Sequence, residues 1–332
     1  MDARFDVVGI GNAIVDVLAH ADDAFLARHA MNKGSMALLD AETAERLYAD
    51  MATGIECSGG SAANTIAGLA SLGGRGAFIG KVKNDELGKV FHHDIEAIGV
   101  HFPTSPATDG IATARCLINV TPDAERTMST FLGACAELGP DDVDEDVVRS
   151  SKVTYLEGYL WDREEAKAAF VRAAELAHDA GREVSLSLSD PFCVDRHRHS
   201  FLELVENHVD ILFANEDEIL SLYQVDTFDE ALQRVRGHCK IAALTRSAKG
   251  SVVIHGEELH IVDAEANVKV VDTTGAGDAF AAGFLFGYTN GHAGDLAHCA
   301  RLGGIAAAEI ISHFGARPET PLNELVAAKL DQ

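Results

Sequence analysis

The sequence predicts an α/β protein: three layers, α/β/α, around a central, mainly parallel sheet, with a small β-sheet lid at one side. Three observations carry this. Short apolar runs alternate with longer amphipathic ones along most of the chain, as strands joined by crossover helices require. The rhythm breaks at residues 12–39 and about 101–130, where strand-like alternation ("GIATARCLINVT", 110–121) occurs without crossover helices. No repeat, low-complexity stretch or linker divides the chain, so residues 1–332 read as one domain with a lid.

Six runs read as core strands: 5–11, 76–82, 152–160, 183–191, 210–218 and 241–247. Four have helical spacing and glycine stops: 61–73, 85–99, 162–181 and 227–237. The acidic run "GPDDVDEDVV" (139–148) reads as a solvated helix start, and "RHRHS" (196–200) as a solvated loop rather than a metal site.

The 332 residues are 47% hydrophobic, enough for a substantial core, and only 6% aromatic, which suits closely packed helices on a sheet. The formal net charge of −25 argues against nucleic acid or an anionic membrane as partner. Any phosphate site must then be built locally, from backbone N–H groups or a few cations. The six cysteines (57, 116, 135, 193, 239, 299) form no C-x-x-C pair and read as reduced, mostly buried thiols of a cytoplasmic protein. The N-terminal stretch has no signal-peptide pattern, and no apolar run reaches ~18 residues, so no membrane span is expected.

The chemistry concentrates in "VVDTTGAGDAF" (270–280). The segment 268–287 reads as strand, tight turn and helix, and ligands of open α/β sheets bind beyond the carboxyl ends of strands. Gly275 and Gly277 allow tight curvature and close approach of a ligand. The N–H groups of Gly275, Ala276, Gly277 and Asp278 would then meet at a helix N-terminus, an anion cradle. Asp278 is either a helix cap or a general base beside that cradle. Asp272 adds a second acid, suited to a hydrated Mg²⁺ carried by a nucleotide. There is no G-x-x-x-x-G-K-[ST], and "VVGIGNAI" has Ile14 at the third glycine position, so neither a P-loop nor a dinucleotide fingerprint is present.

Two further stretches contribute. In "CSGGSAANTIAGLASLGG" (57–74), Gly59 and Gly60 let backbone approach a ligand, and Asn64 opens a helix with donor and acceptor atoms; a plain glycine turn with an Asn cap reads equally from these residues. In "GNAIVD" (11–16), Asn12 and Asp16 follow the first strand, and a carboxylate with an amide can hold a diol; a solvated lid-strand Asp is the other reading.

Together these patterns resemble the ribokinase-like (PfkB) carbohydrate and nucleoside kinases over essentially the whole chain. "DTTGAGDAF" looks like that family's C-terminal signature, and "GGSAANTIAGLASLG" with "GKVKNDELG" (80–88) its N-terminal one. The resemblance implies a ribokinase-like fold with a central sheet of about nine strands and a β-lid. It implies transfer of the ATP γ-phosphoryl group to a hydroxyl, with Asp278 as base and residues 275–278 as anion hole. "NEDE" (215–218) is similar to the family's N-x-x-E element, giving Asn215 and, acting on Mg²⁺ through water, Glu218. "ALTRSAKGS" (243–251) resembles its nucleotide-binding strand and turn, with Thr245, Gly250 and the signature's Thr274 as ATP contacts.

The N-terminal third most resembles the adenosine kinases, which puts Asn12 and Asp16 at ribose-binding positions. "ERTMSTFLGACAEL" (125–138) is similar to their lid strand and hinge, implying Arg126 near the transferring phosphate and Leu132 near the base; Phe192 is the stacking candidate, or else ordinary core. Thr274 stands where many adenosine kinases have Asn, as in the sugar kinases. The expected cofactors are ATP and Mg²⁺, with K⁺ an open question for the loop 312–318. The expected partner is a small nucleoside or sugar, and the expected state a monomer or homodimer. A non-catalytic ligand-sensing module is the alternative of another class. An ordinary aspartate titrates near ~4, so Asp278 would be ionised at neutral pH without tuning.

Overall fold

The computed structural model describes residues 3–123 and 125–330; the first two and last two residues of the expected 1–332 span, and Ala124 within the lid stretch, lie outside the described residues. Thirteen strands are found among the described residues. In chain order they are β1 (Phe5–Ile10), β2 (Ile14–His20), β3 (Met36–Leu38), β4 (Ile55–Gly59), β5 (Gly76–Ile79), β6 (Ala114–Val120) and β7 (Arg126–Phe131). They continue with β8 (Ser151–Glu157), β9 (Glu183–Ser187), β10 (Ile211–Asn215), β11 (Ile241–Thr245), β12 (Ser251–His255) and β13 (Glu258–Val262).

Eight strands form the central sheet in the order β13-β12-β11-β10-β9-β8-β1-β5, and five form the lid in the order β3-β7-β6-β2-β4. The central sheet is parallel from β11 to β5, with β12 and β13 added antiparallel at one edge. The alternation of strand side chains explains the two helical layers. Val8, Ile10 and Leu156 face one core with the helices Glu164–Asp179 and Pro191–His208. Val7, Val153, Tyr155 and Phe213 face the other, with Ser61–Ser71 and Ala276–Gly287.

All six core-strand readings and all four helix readings fall on elements of the expected type, with ends trimmed by local chemistry. The run 210–218 stops being strand at Asn215, because Asn215 and Glu218 form a reciprocal capping box that starts the helix Glu216–Tyr223. The run 152–160 ends at Glu157 and closes in one 3₁₀ turn, Gly158–Leu160. Residues 139–148 become a short 3₁₀ turn, Pro140–Asp142, and a short helix, Glu145–Arg149.

Three readings are corrected. Residues 268–271 are not a strand: Val270 is exposed, and the Val271 amide bonds to the carbonyl of Ile311 at a helix end rather than to a sheet. "RHRHS" lies inside the helix Pro191–His208, kinked at His197, where Arg196 and His197 both bind Asp162. The lid is larger than 12–39 and 101–130: it takes β4 as an edge strand, and two helices, Asp23–Arg28 and Ala41–Asp50, cover its far face.

All six cysteines are free thiols, four of them buried. Among the described residues no helix is long and apolar enough to cross a membrane.

The helix after the Gly275–Gly277 turn is anchored by glycine. A Cβ on Gly283 would lie 2.5 Å from the Leu302 carbonyl oxygen, and one on Gly303 2.6 Å from that of Phe280. Backbone therefore meets backbone where Ala276–Gly287 crosses Leu296–Ile310. Gly283→Ala should force these helices apart and cost about 1–3 kcal/mol, read as a lower urea midpoint at unchanged slope.

Candidate active site

β1 and β8 lie side by side, with Ile10 opposite Leu156, so their carboxyl ends share one point of the sheet. There the chain leaves β1 through Gly11 and Asn12 to enter the lid. Glu157, at the end of β8 and 1% exposed, binds two of the segments that join lid to core, the one leaving β1 and the one returning after β4. Its Oε1 accepts from Asn12 Nδ2 at 2.7 Å, and its Oε2 accepts from the amides of Asn12 (3.3 Å) and Ala62 (2.8 Å). A Cβ on Gly11 would lie 2.2 Å from Oε2, so only glycine fits against this carboxylate. Burial pushes the Glu157 carboxyl up to about 7, opposed by these hydrogen bonds.

The second joint is Gly59–Gly60. Gly60 has φ 99°, and a Cβ there would lie 2.1 Å from the Asn12 carbonyl oxygen. A Cβ on Gly59 would strike the Asp16 carboxylate. The helix that follows brings Ser61 and Asn64 to Asp278: Ser61 Oγ donates to Oδ1 at 2.6 Å and Asn64 Nδ2 to Oδ2 at 3.2 Å. Asn64 is buried, and its Oδ1 has no partner among the described residues. This acceptor is available to a hydroxyl.

Asp278 stands in the first turn of the helix Ala276–Gly287, whose N-cap is Gly275 in the left-handed region (φ 79°). Its side chain reaches Ser61 and Asn64 rather than capping its own helix, and no side chain caps that helix. The N-terminal dipole therefore faces open space at Gly277, where a Cβ would touch nothing. The Asp278 carboxyl does not sit at the ordinary value expected above. Burial pushes it up to about 6, against the hydrogen bonds from Ser61 and Asn64 and the nearby Arg317 charge. Asp16 is likewise pushed up to about 6 by burial, with Arg317 and Arg126 opposing and Asp278 adding to the rise.

Arg126 reaches from the lid into the same region. Its Nη1 pairs with Asp272 Oδ2 at 2.8 Å and its guanidinium lies over the Phe314 ring, while Nε and Nη2 are buried without partners among the described residues. Those two N–H groups are free to meet an anion. Asp272 is otherwise engaged within its own turn, accepting from the Thr274 amide and hydroxyl and from the Gly315 amide. These contacts hold its carboxyl below the usual range.

Asn12, Asp16, Gly59, Gly60, Asn64, Asp278 and the 275–277 turn thus gather around these two of the lid's joints. Leu132 follows β7 where the chain leaves the lid, and is partly buried. A second group sits farther along the same sheet edge. Asn215 and Thr245 are register partners at the ends of β10 and β11. Gly250, at φ 79°, turns the chain where a Cβ would lie 2.0 Å from the Val262 carbonyl oxygen. Glu218 is buried and both its oxygens are taken by Asn215, with burial raising it to about 7. Phe192 is 74% exposed in the first turn of its helix, which rules out the core-packing reading.

Sequence reasoning missed three residues. Glu157 ends an apolar strand, and a carboxylate closing such a run was the available signal. Ser61 directly follows the glycine pair. Arg317 lies 259 residues from its partner Ser58, and nothing local marks it.

Among the described residues no group of three or more His, Cys, Asp or Glu side chains could hold a metal ion.

The comparisons agree with this architecture. The model of the pfkB family carbohydrate kinases matches residues 50–323. The crystal structure of adenosine kinase from Sinorhizobium meliloti is 53% identical, covers 99% of this chain and 100% of its own, and superposes with a TM-score of 0.89. A probable sugar kinase protein from Rhizobium etli is also 53% identical, with 99% of each chain covered and a TM-score of 0.89. The adenosine kinase of Saccharomyces cerevisiae is 26% identical over 97% of this chain and 99% of its own. With a ribokinase-like sheet and lid, a glycine-capped helix N-terminus and a family match over most of its length, the chain belongs to the pfkB family of carbohydrate kinases.

Proposed function

We propose that the chain is an ATP-dependent kinase that phosphorylates the 5′-hydroxyl of adenosine. The observation that carries the nucleoside reading is the lid face holding Asp16. In-register pairing puts Leu38, Thr130, Cys116, Asp16 and Cys57 in one row, and Met36, Met128, Ile118, Leu18 and Ile55 in the next. One carboxylate and one hydroxyl thus stand among apolar and thiol side chains, and Leu38, Met36 and Ile55 are more than half exposed. Such a face suits a ligand with one diol and a flat apolar base. A free hexose carries hydroxyls all round, and an apolar wall leaves them unpaired.

In this reading Asp16 and the free Oδ1 of Asn64 hold the ribose hydroxyls. Asp278 accepts the 5′-OH proton as that oxygen bonds to the γ-phosphorus and the bond to the leaving ADP oxygen breaks. The amides of Gly275, Gly277 and Asp278 and the free N–H groups of Arg126 take up the phosphoryl charge, while the Ala276 amide is turned to the Thr273 carbonyl at 3.2 Å. Thr245, Gly250, Asn215 and Thr274 border the nucleotide side, and Phe192 and Leu132 the base. Glu218 and Asp272 have their oxygens occupied, which fits a Mg²⁺ that arrives on the nucleotide with water in its shell rather than in a protein cage. When bound, that ion neutralises phosphate charge.

A sugar acceptor is the second reading, favoured by Thr274 in the signature turn and by the 53% identity to a probable sugar kinase. A coupled ADP-release assay with adenosine, inosine, ribose and fructose separates the two. Adenosine should give the highest kcat/KM, and preferential turnover of ribose or fructose would replace it.

Asp278→Asn should lower kcat by about 10²–10⁴-fold while ATP binding, followed by calorimetry, stays near wild type. Near-normal turnover would remove Asp278 as base. The base must be ionised to act, so protonation inactivates. With Asp278 and Asp16 both raised to about 6, kcat/KM should fall as pH drops through 6. A profile flat down to ~4.5 would return both acids to the ordinary range.

A further inference from the structure

We propose that Arg317 is a positioning residue for this reaction: its guanidinium clamps both sides of the Gly59–Gly60 joint, and so sets Asp16, on the lid, against Asp278, on the core. The inference rests on the kinase reading above.

Arg317 contributes three nitrogens to this clamp. Nε and Nη2 donate to the Ser58 carbonyl at 3.2 and 2.8 Å, Nη2 also to Ser58 Oγ at 2.8 Å, and Nη1 to the Ala63 carbonyl at 3.3 Å. Ser58 precedes the glycine pair and Ala63 follows it, so one planar group spans the joint. Ser58 is itself fixed from behind, where its amide and hydroxyl donate to Asp94 at 2.7 and 2.5 Å. Two flexible glycines are therefore held by rigid neighbours on each side. Ser61 and Asn64, which hold Asp278, lie in the same short stretch.

The clamp is also tied to the anion turn. Arg317 follows Gly315 and Ala316, and the Ala316 methyl fills the space where a Cβ on Gly275 would lie, 2.6 Å away. The Gly315 amide donates to Asp272 at 3.2 Å. One loop thus touches the anion turn, the paired Asp272 and the lid joint.

Among the described residues Arg317 has no direct ion pair; its partners are neutral oxygens. Its charge acts at longer range on both Asp16 and Asp278, favouring their ionised forms. Lysine would keep that charge but could not reproduce the planar fork across the joint. The ionisable groups whose charge is coupled to that of Asp278 are Asp16 on β2, Tyr155 and Glu157 on β8, Tyr159 just beyond, Glu218 in the helix Glu216–Tyr223 and Arg317.

The test compares wild type with Arg317→Lys and Arg317→Gln by steady-state kinetics across pH, amide exchange of residues 58–64, and thermal melting. Both variants should speed exchange in 58–64 and raise the nucleoside KM by roughly tenfold or more, the scale of losing one charge-assisted hydrogen bond, with ATP KM within about threefold of wild type. In Arg317→Gln the acidic limb of kcat/KM should also move to higher pH, because a charge favouring ionised carboxylates is gone; in Arg317→Lys it should stay. Lower melting temperatures with unchanged 58–64 exchange, nucleoside KM and acidic limb would overturn the proposal and leave Arg317 a structural residue. Should Arg317→Gln fail to fold, exchange and KM in Arg317→Lys decide alone. A wild type that phosphorylates no nucleoside or sugar defeats the kinase reading instead, and the exchange measurement still tests the clamp.

Discussion

The site depends on one buried carboxylate. Glu157 ends β8 at the point where the lid leaves the sheet, and it accepts from the segment going out and the segment coming back. The cost of burying an acid is offset only while those donors remain in place. These two crossings, after β1 and after β4, are therefore tied to one another, not merely to the sheet. Gly11 and Gly60 are the backbone's accommodation to this, since a Cβ at either would collide with Glu157 or with the Asn12 carbonyl.

Around that tie the charges are distributed unevenly. The chain as a whole is strongly acidic, with a net charge of −25, and the site holds Asp16, Asp278, Glu157 and Asp272. Two arginines answer them. Arg126 meets Asp272 directly, and Arg317 sits on neutral oxygens within reach of Asp16 and Asp278. Carboxylates crowded and removed from water bind protons more readily, as the raised values for Asp16, Asp278 and Glu157 record. An acid with such a value is better matched to proton transfer near neutrality than a free aspartate.

Much of this was legible in the sequence, for a physical reason. Strand and helix periodicities and glycine turns are local patterns, and the core strands and helices read from them are present; the capping box that ends β10 at Asn215 is equally local, yet the run 210–218 reads as strand to its end. Gly59, Gly60, Gly275 and Gly277 stood out by their spacing, whereas Gly11 did not. The failures were of two kinds. Residues 268–271 alternate like a strand, but the Val271 and Asp272 amides are drawn to the Ile311 carbonyl at a helix end instead of to a sheet. Glu157 and Arg317 owe their positions to tertiary contacts 95 and 259 residues away, which no local pattern encodes. Phe192 belongs with the second kind: neither its place at the start of a helix nor its exposure followed from the sequence, because both depend on the neighbours the fold supplies.

The glycine crossing between Ala276–Gly287 and Leu296–Ile310 has a mechanical meaning for all of this. Where main chain rests on main chain no side chain is left to yield, so the turn carrying Asp278 behaves as an anvil rather than a spring. The turn and the residues that Ser61 and Asn64 set against it therefore share one unyielding floor beneath the cleft.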